Sequence, residues 1–308
     1  MNNGFESVVK KLNGLGAKRI LVQFPEGLKM KIQEISNKLE DAGFEIALCM
    51  EATYGACDIR DDEAKRLNCN AILHIAHLDY GVKTSFPVVY WEYFFDVDPI
   101  HALKKNLSKL KKFKKIGLIA SVQYIPALKT AKKFLESKGK KIFTFKTEQY
   151  EGQILGCRVG AATNIENKVD AFLCITAGKF YSMGLLFKTS KPKFALDLER
   201  GSINNLEKEE RRMQKIKEWN KVQFREARNI GLLVSWKKGQ MFGSPFALKK
   251  KLEKAGKNAY ILAMDELSVN KMEGLKLDFL INFSCPRIEP PEFSELKIPL
   301  LNYYEVKL

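Results

Sequence analysis

The sequence predicts an α/β protein made of three repeated domains, each built on a parallel sheet. Each copy opens on the same signal, a basic start followed by an apolar run, at residues 18–22, 114–119 and 228–234. A polar loop and a helix follow each run, and the helices end at Gly43, Gly139 and Gly256. Glycine is suited to a helix stop because it accepts positive φ. Strands that alternate with helices imply right-handed crossovers and parallel strands.

Three further apolar runs complete each copy in the same order. The second strands are predicted at 44–50, 141–145 and 259–263, the third at 71–75, 171–175 and 279–283, and the fourth at 87–90, 192–196 and 299–301. These runs are apolar almost throughout, which is typical of sheets covered on both faces. We therefore expect three domains of roughly 100 residues, a normal domain size. Their predicted ranges are 1–98, 99–207 and 208–308, with linking helices at 103–113 and 206–228.

The composition fits a soluble protein that acts inside the cell. The chain has 308 residues, of which 45% are hydrophobic, so it can bury a sizeable core. No apolar run approaches the roughly 18 residues of a membrane span, and the first residues lack the basic and apolar regions of a signal peptide. We expect a cytoplasmic protein with no membrane partner. Its six cysteines are then metal-binding, catalytic or buried rather than disulfide-bonded.

The chain carries a formal net charge of +16, from 52 Lys and Arg against 36 Asp and Glu. Such a balance suits a polyanion or an acidic partner surface. The lysines of residues 103–113 fall between apolar residues at helical spacing, which is typical of a solvated helix face. No RNP, zinc-finger or helix-turn-helix signature accompanies the charge, so we expect no direct contact with nucleic acid.

Three of the cysteines occupy loop positions, one in each predicted domain. Cys57 and Cys157 follow the second strand of their repeats, and Cys285 follows the third strand of its repeat. Thiolates are soft ligands that suit iron–sulfur clusters, zinc or copper(I). A four-iron cluster normally takes four cysteines, so three would leave one metal position open for a small molecule. The spacing is too wide for a zinc ribbon, which needs close pairs.

The other three cysteines have structural contexts. Cys49 and Cys174 lie inside predicted strands, and Cys69 directly precedes one. We expect all three to be small buried hydrophobic residues, and we leave them out of the predicted metal site.

The loops after the first strands are predicted to share a sheet edge with the cysteines, because open α/β sheets bind ligands at the carboxyl ends of their strands. These loops contain Gln23, Gln123 and Gln240. Helix N-termini there offer free N–H groups to a carboxylate, and Lys237 and Lys238 add positive charge. Three domains in a pseudo-threefold arrangement would point these edges at one central site.

Five segments carry a resemblance to a known enzyme family. They are 22–27 (Val-Gln-Phe-Pro-Glu-Gly), 55–58 (Gly-Ala-Cys-Asp), 152–157 (Gly-Gln-Ile-Leu-Gly-Cys), 235–240 (Ser-Trp-Lys-Lys-Gly-Gln) and 285–287 (Cys-Pro-Arg). In this order they resemble the archaeal 2-(3-amino-3-carboxypropyl)histidine synthases, which catalyse the first step of diphthamide biosynthesis. The resemblance covers nearly the whole chain. It implies three α/β domains, a homodimer, and one [4Fe-4S] cluster held by Cys57, Cys157 and Cys285.

The resemblance also implies the reaction. The reduced cluster, supplied by an unidentified electron donor, gives an electron to S-adenosylmethionine at its open iron, and the bond from sulfur to the methionine γ carbon breaks. The 3-amino-3-carboxypropyl fragment then adds to C2 of a histidine imidazole in elongation factor 2. The residues expected to contact S-adenosylmethionine are Gln23, Glu26, Gly27, Gln123, Ser235, Lys238 and Gln240.

One segment departs from the family pattern. The family commonly has a His-x-Gly-His segment after the third strand of its first domain, where this chain has His74, Ala76 and His77. We expect both histidines to be structural, or to support the cluster or S-adenosylmethionine through a hydrogen bond, and we assign neither a catalytic role.

Two other functions stay open on the residues alone. One is a zinc-thiolate enzyme that uses the same three cysteines with His74 or His77, and the other is a basic RNA-binding protein whose cysteines are incidental. A brown chromophore that bleaches on reduction separates iron from zinc. Salt-dependent RNA affinity that survives cysteine replacement would favour the RNA-binding function.

Overall fold

The computed structural model describes residues 4–268, 270–288 and 297–307. The chain forms two compact units, Met1–Glu207 and Lys208–Leu308. The first unit contains two sheets and the second contains one. All three sheets are dominated by parallel strands, so the predicted α/β fold class is confirmed. Across the described ranges, no helix is both long and apolar enough to cross a lipid bilayer.

The first sheet has four parallel strands in the order β2-β1-β3-β4. The strands are β1 (Arg19–Gln23), β2 (Glu45–Leu48), β3 (Ala71–Ile75) and β4 (Val88–Trp91), and the helices are α1 (Phe5–Gly14), α2 (Lys29–Asp41) and α3 (Asp61–Arg66). The register of β1 and β3 pairs Gln23 with His74 at the carboxyl ends of the two strands. The polar side chains of Gln23 and His74 therefore lie at the carboxyl edge of the sheet, directly after the buried apolar residues of the two strands.

The second sheet has five strands in the order β6-β5-β7-β8-β9. The strands are β5 (Lys115–Ala120), β6 (Lys141–Phe143), β7 (Ala171–Thr176), β8 (Lys193–Asp197) and β9 (Ser202–Asn205), and the helices are α4 (Ile100–Asn106), α5 (Ile125–Ser137), α6 (Gly160–Thr163) and α7 (Phe180–Met183). β9 pairs antiparallel with β8, and all other pairs in this sheet are parallel.

The third sheet lies in the second unit and has the order β11-β10-β12-β13. The strands are β10 (Asn229–Ser235), β11 (Asn258–Met264), β12 (Phe279–Asn282) and β13 (Leu300–Asn302), and the helices are α8 (Glu207–Glu226) and α9 (Pro245–Lys254). Helix α8 is tied to the sheet because the buried side chain of Asn220 donates to the carbonyl of Leu300 at 2.9 Å. An ion pair of 2.8 Å joins Lys217 to Glu305 nearby.

The predicted repeat is visible in the topology of the sheets. In each sheet the first strand of the copy lies in the middle, with the second strand on one side and the third on the other. The glycines expected to stop the helices have φ values of +93° at Gly43, +75° at Gly139 and +78° at Gly256. The prediction of glycine stops is confirmed, because few other residues adopt this left-handed conformation without strain.

The helix predicted at 103–113 is wrong in its bounds. Helix α4 ends at Asn106, and a short 3-10 helix continues over Leu107–Leu110. The Asn106 side chain donates to the carbonyl of Ala102 at 2.9 Å and to that of Gly201 at 3.0 Å. An asparagine that bonds to backbone in this way competes with the helical ladder, which explains the break inside a run with helical spacing.

Several elements were absent from the prediction. They are helix α1 before the first strand, the short helices α3, α6 and α7, and β9, which adds an antiparallel edge to the second sheet. The β9 sequence, Ser-Ile-Asn-Asn, has low strand propensity, and the chain reaches it through a turn in which Gly201 has a φ of +60°. Pairing with β8, rather than local sequence, forms this strand.

Two glycines in central strands make room for a large side chain on the neighbouring strand of the same sheet. Gly117 of β5 is paired with Phe172 of β7, and a Cβ at Gly117 would lie 2.5 Å from the Phe172 ring. Gly231 of β10 has the same place opposite Leu280 of β12, where a Cβ would lie 2.7 Å from a Leu280 methyl group. The second and third copies thus share one packing arrangement, in which a glycine on the central strand lies beside a large apolar side chain on the next strand.

Candidate metal centre

The loop that carries Cys57 is held by the last residue of β1. Gln23 is fully buried; its Nε2 donates to the carbonyl of Asp58 at 3.0 Å, and its Oε1 accepts from the N–H of Arg60 at 3.0 Å. The N–H of Asp58 donates to the carbonyl of Gly55 at 3.1 Å, which closes a tight turn around Cys57. The Cys57 thiol is therefore fixed beyond the carboxyl end of β1 and stays partly exposed.

A buried ion pair restrains the same loop. The Nε of Arg60 lies 3.1 Å from Oδ1 of Asp58, and its Nη2 lies 3.3 Å from Oδ2. Arg60 also reaches Glu63 at 3.3 Å. A buried charge is tolerated when it is paired and hydrogen-bonded. Because Asp58 directly follows Cys57, this pair limits the movement of the backbone beside the thiol.

Cys157 lies in the loop after β6, and the segment before it pairs with the central strand of its sheet. The N–H of Ala120 donates to the carbonyl of Gly152, and the N–H of Ile154 donates to the carbonyl of Ala120, each at 2.9 Å. Gly152 has a φ of +75°, and a Cβ there would lie 2.9 Å from Leu128. The backbone pairing brings the exposed Cys157 to the carboxyl end of β5.

A tyrosine hydroxyl lies beside the Cys157 thiol. The Tyr80 oxygen is 3.5 Å from Sγ of Cys157, and the guanidinium carbon of Arg158 lies 3.7 Å from the centre of the Tyr80 ring. Burial, and then the hydrogen bond with Cys157, raise the pKa of Tyr80 well above its usual value, with a smaller contribution from Cys57. Cys57 and Cys157 therefore both act on the Tyr80 hydroxyl group.

In the second unit, the last residue of β12 holds the loop of Cys285. Asn282 is buried, and its Nδ2 donates to the carbonyl of Cys285 at 2.8 Å and to Oδ1 of Asn302 at 2.8 Å. Its Oδ1 accepts from the N–H and the hydroxyl of Ser284 at 2.9 and 2.7 Å. A strand-terminal amide thus fixes the Cys285 loop, as Gln23 does for the loop of Cys57.

The six cysteines fall into two groups by exposure. Cys57 and Cys285 are partly exposed and Cys157 is exposed, whereas the other three are buried. Burial raises the pKa of each buried thiol, namely Cys49, Cys69 and Cys174. A raised pKa keeps a thiol in its neutral form, which is a poor metal ligand. Among the described residues, no three His, Cys, Asp or Glu side chains gather tightly enough to hold a single metal ion.

Gln123, in the loop after the first strand of the second copy, also makes a structural contact. Gln123 follows β5, and its Nε2 donates to the carbonyl of Ala76 at 2.5 Å. Ala76 has a φ of +64°, a left-handed conformation that an L-residue adopts at a cost. The family glycine that Ala76 replaces would meet this backbone requirement without strain.

The remaining predicted ligand contacts lie in the loop after β1, at the last residue of β10 and in the loop after β10. Glu26 forms an exposed ion pair of 2.6 Å with Lys29, and a Cβ added to Gly27 would meet no atom within 4 Å. Ser235 accepts from the N–H of Lys237 at 3.1 Å. The other two residues, Lys238 and Gln240, belong to the same loop. Contact of any of these residues with S-adenosylmethionine stays a prediction.

His74 and His77 form a buried pair in the segment that departs from the family pattern. Their rings meet edge to face with centroids 5.0 Å apart, and Nε2 of His74 lies 3.3 Å from the carbonyl of Asp58. Burial lowers the pKa of His74 well below its usual value and that of His77 to about 4. Both rings are therefore neutral at pH 7, and His74 supports the same loop as Gln23.

Comparison with known proteins assigns the chain to a family. The family model described as putative diphthamide synthesis protein matches residues 24–308. The chain belongs to the diphthamide synthesis protein family. The 2-(3-amino-3-carboxypropyl)histidine synthase of Pyrococcus horikoshii is 32% identical over 98% of this chain and 88% of its own length. That of Methanocaldococcus jannaschii is 26% identical over 98% of this chain and 88% of its own length. Both relatives are named as synthases, and the chain is accordingly an enzyme of the transferase class.

Two solved structures have the same fold. The crystal structure of Dph2 from Pyrococcus horikoshii has a TM-score of 0.86 and 31% identity, and covers 97% of this chain and 88% of that chain. The crystal structure of the same protein with a 4Fe-4S cluster also has a TM-score of 0.86, with 30% identity and the same coverage. A fold of this family has therefore been solved with an iron–sulfur cluster.

We predict that Gln23→Leu lowers the free energy of unfolding by about 1–3 kcal/mol, because it leaves the buried carbonyl of Asp58 and N–H of Arg60 without their partner. Urea denaturation measures the loss. The control is Gln33→Leu on the exposed face of α2, which should change stability by less than about 0.5 kcal/mol. Equal unfolding midpoints for the two variants would show that the hydrogen bonds of Gln23 to the Cys57 loop do not contribute to stability.

We predict that the fold loses stability as the pH falls from 6.5 toward 4. His77 has a pKa of about 4 when folded and its usual value of 6.5 when unfolded, so only the unfolded chain binds its proton in this window. Stability then falls by up to about 1.4 kcal/mol per pH unit for each such histidine, and His74 acts in the same direction. Above pH 6.5 the contribution is fully present.

The variant His77→Gln should reduce this pH dependence, and His101→Gln on the exposed face of α4 should leave it intact. Chemical denaturation at several pH values gives the slope for each protein. The interpretation is wrong if the slope of the His77 variant matches that of the wild type.

Proposed function

We propose that this chain transfers the 3-amino-3-carboxypropyl group of S-adenosylmethionine to C2 of a histidine imidazole in elongation factor 2. The observation that carries the proposal is the match over 97% of the chain to a structure solved with a 4Fe-4S cluster. The name of the relative that is 32% identical, 2-(3-amino-3-carboxypropyl)histidine synthase, supports the reaction. The restrained cysteine loops support the cluster.

The proposed cluster ligands are Cys57, Cys157 and Cys285. Thiolates are the usual ligands of iron–sulfur clusters, and these three are the cysteines that are not buried. Each belongs to a loop anchored at the end of a central or neighbouring strand. Fixed loops suit cluster ligation because the sulfurs need a defined geometry. Three protein ligands leave one iron for S-adenosylmethionine.

When bound, the reduced cluster supplies one electron to the sulfonium of S-adenosylmethionine, and the bond to the methionine γ carbon breaks. The chain must turn this carbon, rather than the adenosyl carbon, toward the open iron. We assign the task to the first-strand loops, in which Lys238 and the helix N-termini attract the carboxylate. The residues proposed to surround the ligand are Gln23, Glu26, Gly27, Gln123, Ser235, Lys238 and Gln240. Of these, Gln23 already uses its amide to hold the Cys57 loop.

The protein substrate must dock on the surface, since a large folded partner presents one histidine to the site. The net charge of +16 supports attraction to an acidic partner surface. The proposal further includes a homodimer in the cytoplasm, a separate electron donor, and three domains at 1–98, 99–207 and 208–308 that contribute one cysteine each.

The proposal predicts that Cys57→Ala, Cys157→Ala or Cys285→Ala each lowers iron and sulfide content after anaerobic reconstitution, because each removes one of three ligands. The wild type should bind about four irons and four sulfides per chain, as a [4Fe-4S] cluster requires. The matched control is Cys69→Ala, which removes a buried thiol from the first unit and should retain the full cluster. Circular dichroism confirms that each variant is folded.

Two results would contradict the proposed function. One is a folded wild-type protein that binds stoichiometric zinc and no iron under these conditions. The other is a triple cysteine variant that keeps the full iron and sulfide content, since the cluster would then have other ligands.

A further inference from the structure

Tyr80 lies closer to a proposed cluster ligand than its place in the chain suggests. It belongs to the segment after β3 of the first sheet, and Cys157 belongs to the loop after β6 of the second sheet. The hydroxyl oxygen of Tyr80 is nonetheless 3.5 Å from Sγ of Cys157. This distance is within hydrogen-bonding range for sulfur, so the contact connects two segments 77 residues apart.

The residue after Cys157 holds the tyrosine in place. The guanidinium carbon of Arg158 lies 3.7 Å from the centre of the Tyr80 ring, and its Nη2 donates to the Tyr80 carbonyl at 3.2 Å. A cation over a ring face is attracted by the ring quadrupole. Arg158 therefore contacts both the backbone and the ring of Tyr80. Its Nη1 also lies 3.9 Å from Oε2 of Glu148, in an ion pair. The hydroxyl is directed at the sulfur by two independent contacts.

The direction of the hydrogen bond follows from the chemistry of the two groups. A phenol carries its proton at neutral pH. A thiolate that ligates iron carries none and accepts. Tyr80 thus donates to the sulfur. A hydrogen bond to a cluster sulfur withdraws negative charge and stabilises the reduced state, which raises the reduction potential. The positive charge of Arg158 acts in the same direction.

We propose that Tyr80 is a positioning residue that donates a hydrogen bond to the Cys157 ligand, restrains its loop, and raises the reduction potential of the cluster. Arg158 holds Tyr80 in the required orientation. This inference rests on the proposed function, because it takes Cys157 to be a cluster ligand. It adds a specific task for the segment after His77, where the chain departs from the family pattern.

The test is Tyr80→Phe in the full-length, anaerobically reconstituted protein. This substitution removes one oxygen atom and keeps the ring under Arg158. We expect unchanged iron and sulfide content and a more negative midpoint potential, measured by redox titration with electron paramagnetic resonance. A roughly tenfold lower ratio of reduced to oxidised cluster at a fixed potential corresponds to about 59 mV for one electron.

Two further variants make the test specific. Tyr181→Phe is the matched control, since Tyr181 is a partly buried tyrosine near the same cysteine without a hydrogen bond to its sulfur in the described structure. Its midpoint potential should equal that of the wild type. Arg158→Gln removes the cation over the ring and should shift the potential in the same direction as Tyr80→Phe.

Three results would overturn the inference. They are an unchanged midpoint potential in a fully loaded Tyr80→Phe protein, an equal shift in Tyr181→Phe, and a folded Tyr80→Phe protein that cannot hold the cluster. The last result would make Tyr80 necessary for cluster assembly rather than for its potential. A wild-type protein that binds no four-iron cluster would refute the proposed function instead, so the two failures are distinguishable.

Discussion

The ends of the central strands are the constraint on which the candidate site depends. A parallel sheet brings the carboxyl ends of its strands to one edge, but an edge alone does not fix a loop. In the first sheet the buried amide of Gln23 binds two backbone groups beyond Cys57. In the third sheet the buried amide of Asn282 binds the carbonyl of Cys285 and the N–H of Ser284. The loop of Cys157 is held by backbone hydrogen bonds between the segment before it and Ala120 of β5. Each thiol is thus fixed through contacts that cost about 1–3 kcal/mol to leave unmade.

The residues that hold the loops differ from the cysteines that are proposed to bind the cluster. The buried side chains at the strand ends bind loop backbone, whereas the thiols of Cys57, Cys157 and Cys285 are not buried. His74 supports the Cys57 loop in its neutral form, since burial lowers its pKa well below the usual value. Neutral, buried histidines fit a structural task better than proton transfer at neutral pH. Tyr80 differs because its hydroxyl faces a thiol directly.

Much of the fold could be predicted from the sequence, and the failures have physical causes. Apolar runs and glycine stops are local signals, and they located every strand except β9, which forms by pairing with β8. The break at Asn106 depends on a bond to Gly201, far away in sequence. In the site, Gln23 stood out as a polar residue after an apolar strand, and Asn282 carries the same signal, which was overlooked. The contact of Tyr80 with Cys157 joins two sheets, and no local pattern encodes it.

The central claim is that three thiolates hold a cluster which directs cleavage of S-adenosylmethionine at the γ carbon. The most direct measurement is product analysis after anaerobic incubation of the reduced, reconstituted protein with S-adenosylmethionine and elongation factor 2. The account predicts methylthioadenosine in equal amount to 3-amino-3-carboxypropyl-histidine in the partner, and neither product when Cys57 is replaced by alanine. Release of 5′-deoxyadenosine as the main product, or unchanged turnover without Cys57, would contradict it.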